Sequence, residues 1–166
     1  MIIRSEQHSD IQAITDVTRA AFADHPHSDH CEQFIINALR DASALSISLV
    51  AEIDDQVVGH IAFSPVSISD GSTDWYGLGP VSVLPQWQKQ GIGKALINHG
   101  LALLKENHAK GCVLLGEPEY YRRFGFQHKT NLILEGVPPE YFLTLSFDGN
   151  LPNGKVNYHA AFSASS

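Results

Sequence analysis

Residues 78–96 read Leu78-Gly79-Pro80-Val81-Ser82-Val83-Leu84-Pro85-Gln86-Trp87-Gln88-Lys89-Gln90-Gly91-Ile92-Gly93-Lys94-Ala95-Leu96. An apolar strand feeds a turn with glycines at 91 and 93, and the turn opens a helix. In that arrangement the main-chain N–H groups of Gln88, Lys89, Gln90, Gly91, Ile92, Gly93 and Lys94 can converge on one point, with the positive end of a helix dipole behind them. Such a point attracts phosphate. Glycine at 91 and 93 removes the Cβ that would hold ligand oxygens away, while Lys89 and Lys94 bring positive charge to an acidic chain. A plain helix start with two convenient glycines would look the same.

Spacing separates the phosphate-binding readings. A P-loop needs a glycine five positions before Gly93 and Ser or Thr after Lys94, where this chain has Gln88 and Ala95. A dinucleotide fingerprint could use Gly91-Ile92-Gly93-Lys94-Ala95-Leu96, yet the third glycine is missing and Pro85 stands between Val83 and the turn. It stays as the weaker alternative.

The rest of the chain must position this turn. Ser9 or Asp10 can cap a helix carrying Ile11, Ile14, Val17 and Ala21, and a second helix is predicted after Ser28 with Cys31, Phe34, Ile35, Ala38 and Leu39 on one face. From Leu45 the period becomes two: Ile47, Leu49, Ala51 and Ile53 alternate, Asp54-Asp55 turns, and residues 57–68 return as a strand. Asp70-Gly71 turns again into a strand over residues 75–83, giving an antiparallel meander. Ile92, Leu96, Ile97, Leu101 and Leu104 then keep helical spacing, Gly111 follows the helix end, and Cys112-Val113-Leu114-Leu115 is a short buried strand. Residues 120–124 suit a helix; Phe126 onward and residues 142–147 suit strands. The order describes an α/β mixed sheet with helices on its faces.

With 166 residues, 43% of them hydrophobic and 17% charged, one domain over residues 1–166 with its own core is expected. Eleven Lys and Arg against 18 Asp and Glu give a net charge of −7, which argues against nucleic acid and anionic membrane as partners. No apolar run is long enough for a membrane span, and the start lacks the apolar core of a signal peptide, so a cytoplasmic location is expected. Cys31 and Cys112 lie in unlike contexts and form no disulfide framework. The tail Ser163-Ala164-Ser165-Ser166 is expected to fray.

Gln88-Lys89-Gln90-Gly91-Ile92-Gly93 resembles the Arg/Gln-x-x-Gly-x-Gly/Ala signature of the GCN5-related N-acetyltransferase (GNAT) superfamily. Downstream, Tyr120-Tyr121-Arg122-Arg123-Phe124-Gly125-Phe126 resembles that family's Tyr-x-x-x-Gly-Phe motif. The element order over residues 1–147 agrees with the same fold, an antiparallel meander followed by a parallel pair splayed at the cofactor site. Leu115-Gly116-Glu117-Pro118-Glu119-Tyr120-Tyr121 and Val156-Asn157-Tyr158-His159-Ala160-Ala161-Phe162 look most like an uncharacterised bacterial branch of predicted acetyltransferases. That branch identifies no acceptor.

The resemblance implies acetyl-CoA as cosubstrate, with the turn holding its diphosphate through the main chain of residues 88–94. Val81 and Ser82 would pair with the pantetheine arm, and the main-chain N–H of Val83 would polarise the acetyl carbonyl. Tyr121 matches the tyrosine that protonates the departing CoA sulfur in many members. A core tyrosine beside Phe124 and Phe126 is the plainer reading, and Tyr120 could face the sulfur instead. A primary amine is protonated at neutral pH, so a base acting through water, or desolvation, must assist. Glu117 is the first candidate because it follows the strand after Leu115, although a helix-start acid favouring the dipole is the commoner role. Asp74, Glu119 and His60 are further candidates, and Arg122 or Arg123 could meet the 3′-phosphate of CoA.

Asp24-His25-Pro26-His27-Ser28-Asp29-His30-Cys31 holds four good transition-metal ligands, three histidines and a cysteine, within seven positions. Pro26 and the helix start aim those side chains apart, so no metal is assigned; in the resembled fold, His25, His27 and His30 would border the acceptor cleft. Residues 24–29 and 136–141 would shape that cleft. The function expected is N-acetyl transfer from acetyl-CoA to a primary amine of a small molecule or protein, by direct attack in a ternary complex. A noncatalytic acyl-CoA-binding sensor or docking module is the alternative. Strands near the C-terminus could pair in a homodimer.

Overall fold

Two-residue alternation and well-placed turns build the first part of the chain, seen in a computed structural model that describes residues 1–166. Strand β1 (Ile2–Ser5) pairs antiparallel with β2 (Ile47–Ile53), and β2 with β3 (Gln56–Ile68). Asp54 and Asp55 both take positive φ, the two-residue turn whose twist matches a hairpin. Strand β4 (Trp75–Val83) follows Gly71, and its peptide bond between Gly79 and Pro80 is cis. The N-terminal apolar residues are therefore a strand, which their short length had hidden.

Helices α1 (Ile11–Phe22) and α2 (Glu32–Asp41) follow β1, and α3 (Ile92–Glu106) follows β4. Two compact units result: Met1–Ser64 with Gly79–Leu101 and Ala160–Ser166, and Pro65–Leu78 with Ala102–His159. In the first, Ile14 of α1, Ile36 of α2 and Val50 of β2 form one cluster, with Leu45 and Val57 against it. On α3, Gly100 lets the Phe63 ring of β3 lie against the helix backbone, a close approach that a Cβ would block.

Helix α2 departs from its expected face. It buries Gln33, Ile36 and Leu39, while Cys31, Phe34, Ile35 and Ala38 are half-buried. Asp29 accepts the Cys31 N–H and Ser28 Oγ donates to the Glu32 carboxylate, so the helix starts at Glu32 rather than just after Ser28. Ahead of the tail, Ala160–Ser163 forms a turn of 3₁₀-helix packed against α2, which takes in only the first of the four residues expected to fray; residues 164–166 have no regular structure.

In the second unit β4 pairs in parallel with β5 (Gly111–Leu115) over Trp75 to Gly77. Helix α4 (Pro118–Tyr121) and strand β6 (Gln127–His128) come next, with a turn of 3₁₀-helix at Arg122–Phe124 between them. They are followed by β7 (Leu132–Ile133), β8 (Phe142–Ser146) and β9 (Gly154–Tyr158). β8 pairs antiparallel with both β5 and β6, and β9 pairs antiparallel with β3 and parallel with β7. Val66, Trp75, Val113, Leu132, Phe142 and Val156 form its core. Gly111 does not cap α3. That helix ends through His108, whose φ is +64°, while Gly111 is covered by the Trp75 indole, which leaves no room for a Cβ. No helix is long and apolar enough to cross a membrane.

Candidate active site

Strand β4 leads to the turn. The Leu84 N–H donates to the Val58 carbonyl at 2.9 Å, which sets the alternation of the antiparallel edge between β4 and β3. Peptide groups of Ser82 and Leu84 consequently face β3, whereas those of Val81 and Val83 face the opposite edge. The Val83 carbonyl on that edge accepts Gln88 Nε2 at 3.1 Å, which ties the end of the strand to the turn. Of the three strand residues expected to meet pantetheine and acetyl, Val81 and Val83 present amides away from β3. Ser82 turns its main chain toward β3 and buries its hydroxyl.

The turn itself takes left-handed backbone at Lys89 (φ +64°) and at Gly91 (φ +85°), either side of Gln90. Lysine holds that conformation at a cost; glycine holds it freely. No atom comes within 4 Å of where a Gly91 Cβ would stand. Helix α3 then begins at Ile92, and the Ala95 N–H bonds back to the Gly91 carbonyl at 3.0 Å. The amides of Ile92, Gly93 and Lys94 are thus the first-turn donors that an α-helix leaves without an internal acceptor, at the positive end of a 15-residue dipole. Gln88, Lys89, Gln90, Gly91 and Lys94 are exposed, while Ile92 anchors the helix start in the core. An exposed concave row of donors backed by a helix suits a doubly charged diphosphate.

In the second unit, β5 ends at Leu115 and Glu117 precedes α4. The Glu117 carbonyl accepts the N–H groups of Tyr120 and Tyr121, both at 3.1 Å, and its side chain is exposed. Tyr121 packs on Gly116, with Phe124 and Phe126 at ring distances of 6.2 and 6.1 Å and Tyr120 edge-on at 5.0 Å. Burial, helped by Tyr120, pushes the Tyr121 phenol up to about 12, so it is a proton donor throughout the neutral range. Arg122 pairs with Glu119 at 2.9 Å, and Arg123 stacks on Tyr120 while its Nε donates to the Tyr120 carbonyl. Asp74 has a left-handed backbone, and its carbonyl accepts the Lys110 N–H.

The histidine-rich loop does not converge. His25 Nδ1 accepts the His27 N–H, His30 takes φ +63°, and the Cys31 thiol leans on the Asp29 carbonyl. No three His, Cys, Asp or Glu side chains group as metal ligands anywhere in the chain. A different polar cluster lies in the first unit, where half-buried Glu6, Arg40 and Ser48 join the fully buried His60. Of these only His60 stands out in the sequence, because the four are scattered over 55 positions and meet only when β1, α2, β2 and β3 assemble.

A strand ending in outward-facing amides, then a left-handed turn that opens a helix, is an arrangement suited to a diphosphate-bearing cosubstrate. The comparisons narrow that reading. The model of the acetyltransferase (GNAT) domain matches residues 2–128, and the chain belongs to the GNAT acetyltransferase family. Over 128 residues it is 36% identical to the uncharacterized N-acetyltransferase YhbS of Escherichia coli K12, covering 76% of this chain and 74% of that one. A solved GNAT family acetyltransferase from Brucella melitensis, in complex with acetyl-CoA, is 51% identical. It aligns with a TM-score of 0.88 over 98% of this chain and 97% of its own. The structure of E. coli YhbS in complex with CoA is 31% identical, with a TM-score of 0.89 over 97% and 91% of the two chains. The mixed α/β fold and the family resemblance expected from the sequence both hold.

Proposed function

We propose that this protein moves the acetyl group of acetyl-CoA to a primary amine of a small molecule or protein, by direct attack in a ternary complex. The observation that carries the reading is the turn at Lys89 and Gly91, where left-handed backbone leads into the free first-turn amides of α3, donors suited to a diphosphate. Solved relatives in complex with acetyl-CoA and with CoA support it.

Each residue then has one task. Residues 88–94 bind the diphosphate through their N–H groups, with Lys89 and Lys94 adding charge. Val81 pairs with the pantetheine amides, and the Val83 N–H donates to the acetyl oxygen as negative charge develops there. The amine nitrogen bonds to the carbonyl carbon, the C–S bond breaks, nitrogen loses one proton and the sulfur gains one. Tyr121, protonated at working pH, donates to that sulfur. Glu117 is exposed and fits a water-mediated base only at the mouth of an acceptor site.

A thermal melt with acetyl-CoA, CoA and NAD tests the reading. A ligand at about 100 times its dissociation constant adds about 2.7 kcal/mol, a shift of several degrees. Stabilisation by the two CoA species and not by NAD is expected, followed by thiol release when primary amines are added. Stabilisation by NAD alone would replace acetyl transfer with dinucleotide binding.

A further inference from the structure

Strand β3 carries a fully buried histidine whose two ring nitrogens have different surroundings. His60 is 0% exposed; its Nε2 lies 2.8 Å from Ser48 Oγ, and its Nδ1 has no partner in the protein. Ser48 Oγ also bonds Glu6, and Glu6 in turn takes two bonds from Arg40, at 2.8 and 2.9 Å. Burial alone would raise the Glu6 pKa, yet the Arg40 and Ser48 hydrogen bonds and the Arg40 charge outweigh it and hold the group below the usual carboxylate range. Glu6 is therefore an anion that only accepts. The single Ser48 proton must go to it, so Ser48 Oγ accepts from His60, and His60 carries its proton on Nε2. Nδ1 is left as a bare lone pair.

The neighbouring strand β4 carries a second buried polar atom without a partner. The Leu84 to Val58 hydrogen bond sets Ser82 directly opposite His60 on adjacent antiparallel strands, so the two side chains share one face of the sheet. Ser82 is 2% exposed and its Oγ also has no partner in the protein. Unpaired buried polar atoms are costly, and two on neighbouring residues make a place where a water can gain both bonds. Ser82 immediately precedes Val83.

We propose that His60 Nδ1, reached through a water bonded to Ser82 Oγ, accepts the proton that leaves the attacking amine, with Ser48 and Glu6 fixing the tautomer this requires. The proposal rests on the acetyl-transfer reading above. In the step, the amine N–H bond breaks as the water takes that proton and passes one of its own to Nδ1. The resulting imidazolium is balanced by Glu6 through Ser48. Once the C–S bond has broken and Tyr121 has protonated the sulfur, the proton on Nδ1 leaves by the same water to solvent and the Tyr121 phenolate takes one back from solvent, so CoA ends as a thiol and both groups are reset. Burial pushes the His60 pKa down to about 4, so the ring waits neutral. A weak acceptor suffices, because the nitrogen losing the proton is already bonded to the acetyl carbon and is far more acidic than a free ammonium. Charged groups facing the ring are Glu6 from the end of β1 and Arg40 from α2; Val50 of β2 is its apolar neighbour on that face.

His60→Gln separates a proton-transfer role from a structural one, since the glutamine amide can still donate to Ser48 but offers no Nδ1 lone pair. Acetyl-CoA affinity is measured by titration calorimetry, and kcat by thiol release with a mixture of ethanolamine, spermidine and a lysine-containing tripeptide. The expected result is a kcat lower by at least about tenfold, loss of the solvent deuterium isotope effect, and an acetyl-CoA dissociation constant within twofold of wild type. Ser82→Ala should fall between the two. A His60→Gln protein that keeps wild-type kcat overturns the proposal while leaving acetyl transfer intact; wild-type protein that fails to bind acetyl-CoA overturns the transfer reading itself. Histidine nitrogen NMR on wild-type protein needs no acceptor: an Nε2–H tautomer at residue 60 is expected, and an Nδ1–H tautomer would refute the relay.

Discussion

The Tyr121 ring lies on Gly116: a Cβ at residue 116 would stand 2.5 Å from Cε2 and 3.0 Å from Cδ2 of the tyrosine. Position of the phenol thus depends on a hydrogen atom where other residues carry carbon. Gly116→Ala should displace the ring and lower amine-dependent thiol release by about tenfold or more, with acetyl-CoA affinity little changed. Equal losses in affinity and turnover would show that the substitution had damaged more than the phenol.

Tyr121→Phe keeps the packing against Phe124 and Phe126 and removes only the O–H. For an enzyme that protonates CoA sulfur here, kcat should drop by about 10²-fold, whereas the acetyl-CoA-induced melting shift should persist. A sensor or docking module has no turnover to lose, so full binding with no thiol release in either protein would favour that alternative.

Gly91→Glu places a side chain and a negative charge on left-handed backbone at the turn. Its melt should show no acetyl-CoA shift, and the unliganded protein should lose about 1 kcal/mol from the φ strain. A wild-type ligand response in this variant would remove the turn from the cofactor site.

Gly100→Ala drives a methyl group into the Phe63 ring, where α3 meets β3. Overpacking of this sort costs about 1–3 kcal/mol. Urea unfolding with an unchanged m-value and a lower midpoint is the expected record; an unaltered midpoint would mean that α3 can move away freely.

Acid should weaken the native state through the His60 cluster. The folded imidazole pKa, about 4, is below its unfolded value, so between pH 6.5 and 4 the unfolded chain holds the extra proton and stability falls as pH falls. A shift of that size corresponds to about 3 kcal/mol over the interval. Glu6, whose pKa is also lowered, loses its contribution in the same direction as pH drops through its folded value. His60→Gln should flatten the pH dependence above pH 4, a difference visible in melts taken at pH 7 and pH 4.5.

Local rules made much of this molecule readable. Asp54-Asp55 and Asp70-Gly71 gave the meander because their turn chemistry depends on adjacent residues, and the glycines at 91 and 93 marked the helix opening for the same reason. Strands β1, β7 and β9 were hidden: each is short, and β9 buries only Val156 among five residues, so their pairing depends on partners far away in sequence. The α2 face was misplaced by about one residue in the turn of the helix, since the apolar side chains of Phe34 and Ile35 outweighed buried Gln33 in the pattern. At the candidate site, the turn that opens α3 was legible and the alternation of amides along residues 81–83 was not, because it is set by one hydrogen bond to Val58. The cluster of Glu6, Arg40, Ser48 and His60 has no sequence period at all.

The two cysteines occupy opposite extremes. Cys112 is 0% exposed and burial pushes its thiol well above the ordinary range, while Cys31 is half-exposed at the start of α2. A coloured disulfide reagent should therefore count one protein thiol per native chain and two in denaturant. That difference is a built-in meter of global unfolding. It also sets a fixed blank, one equivalent per chain, for every thiol-release measurement made with this protein, and it offers position 31 for a single fluorescent label without any engineering.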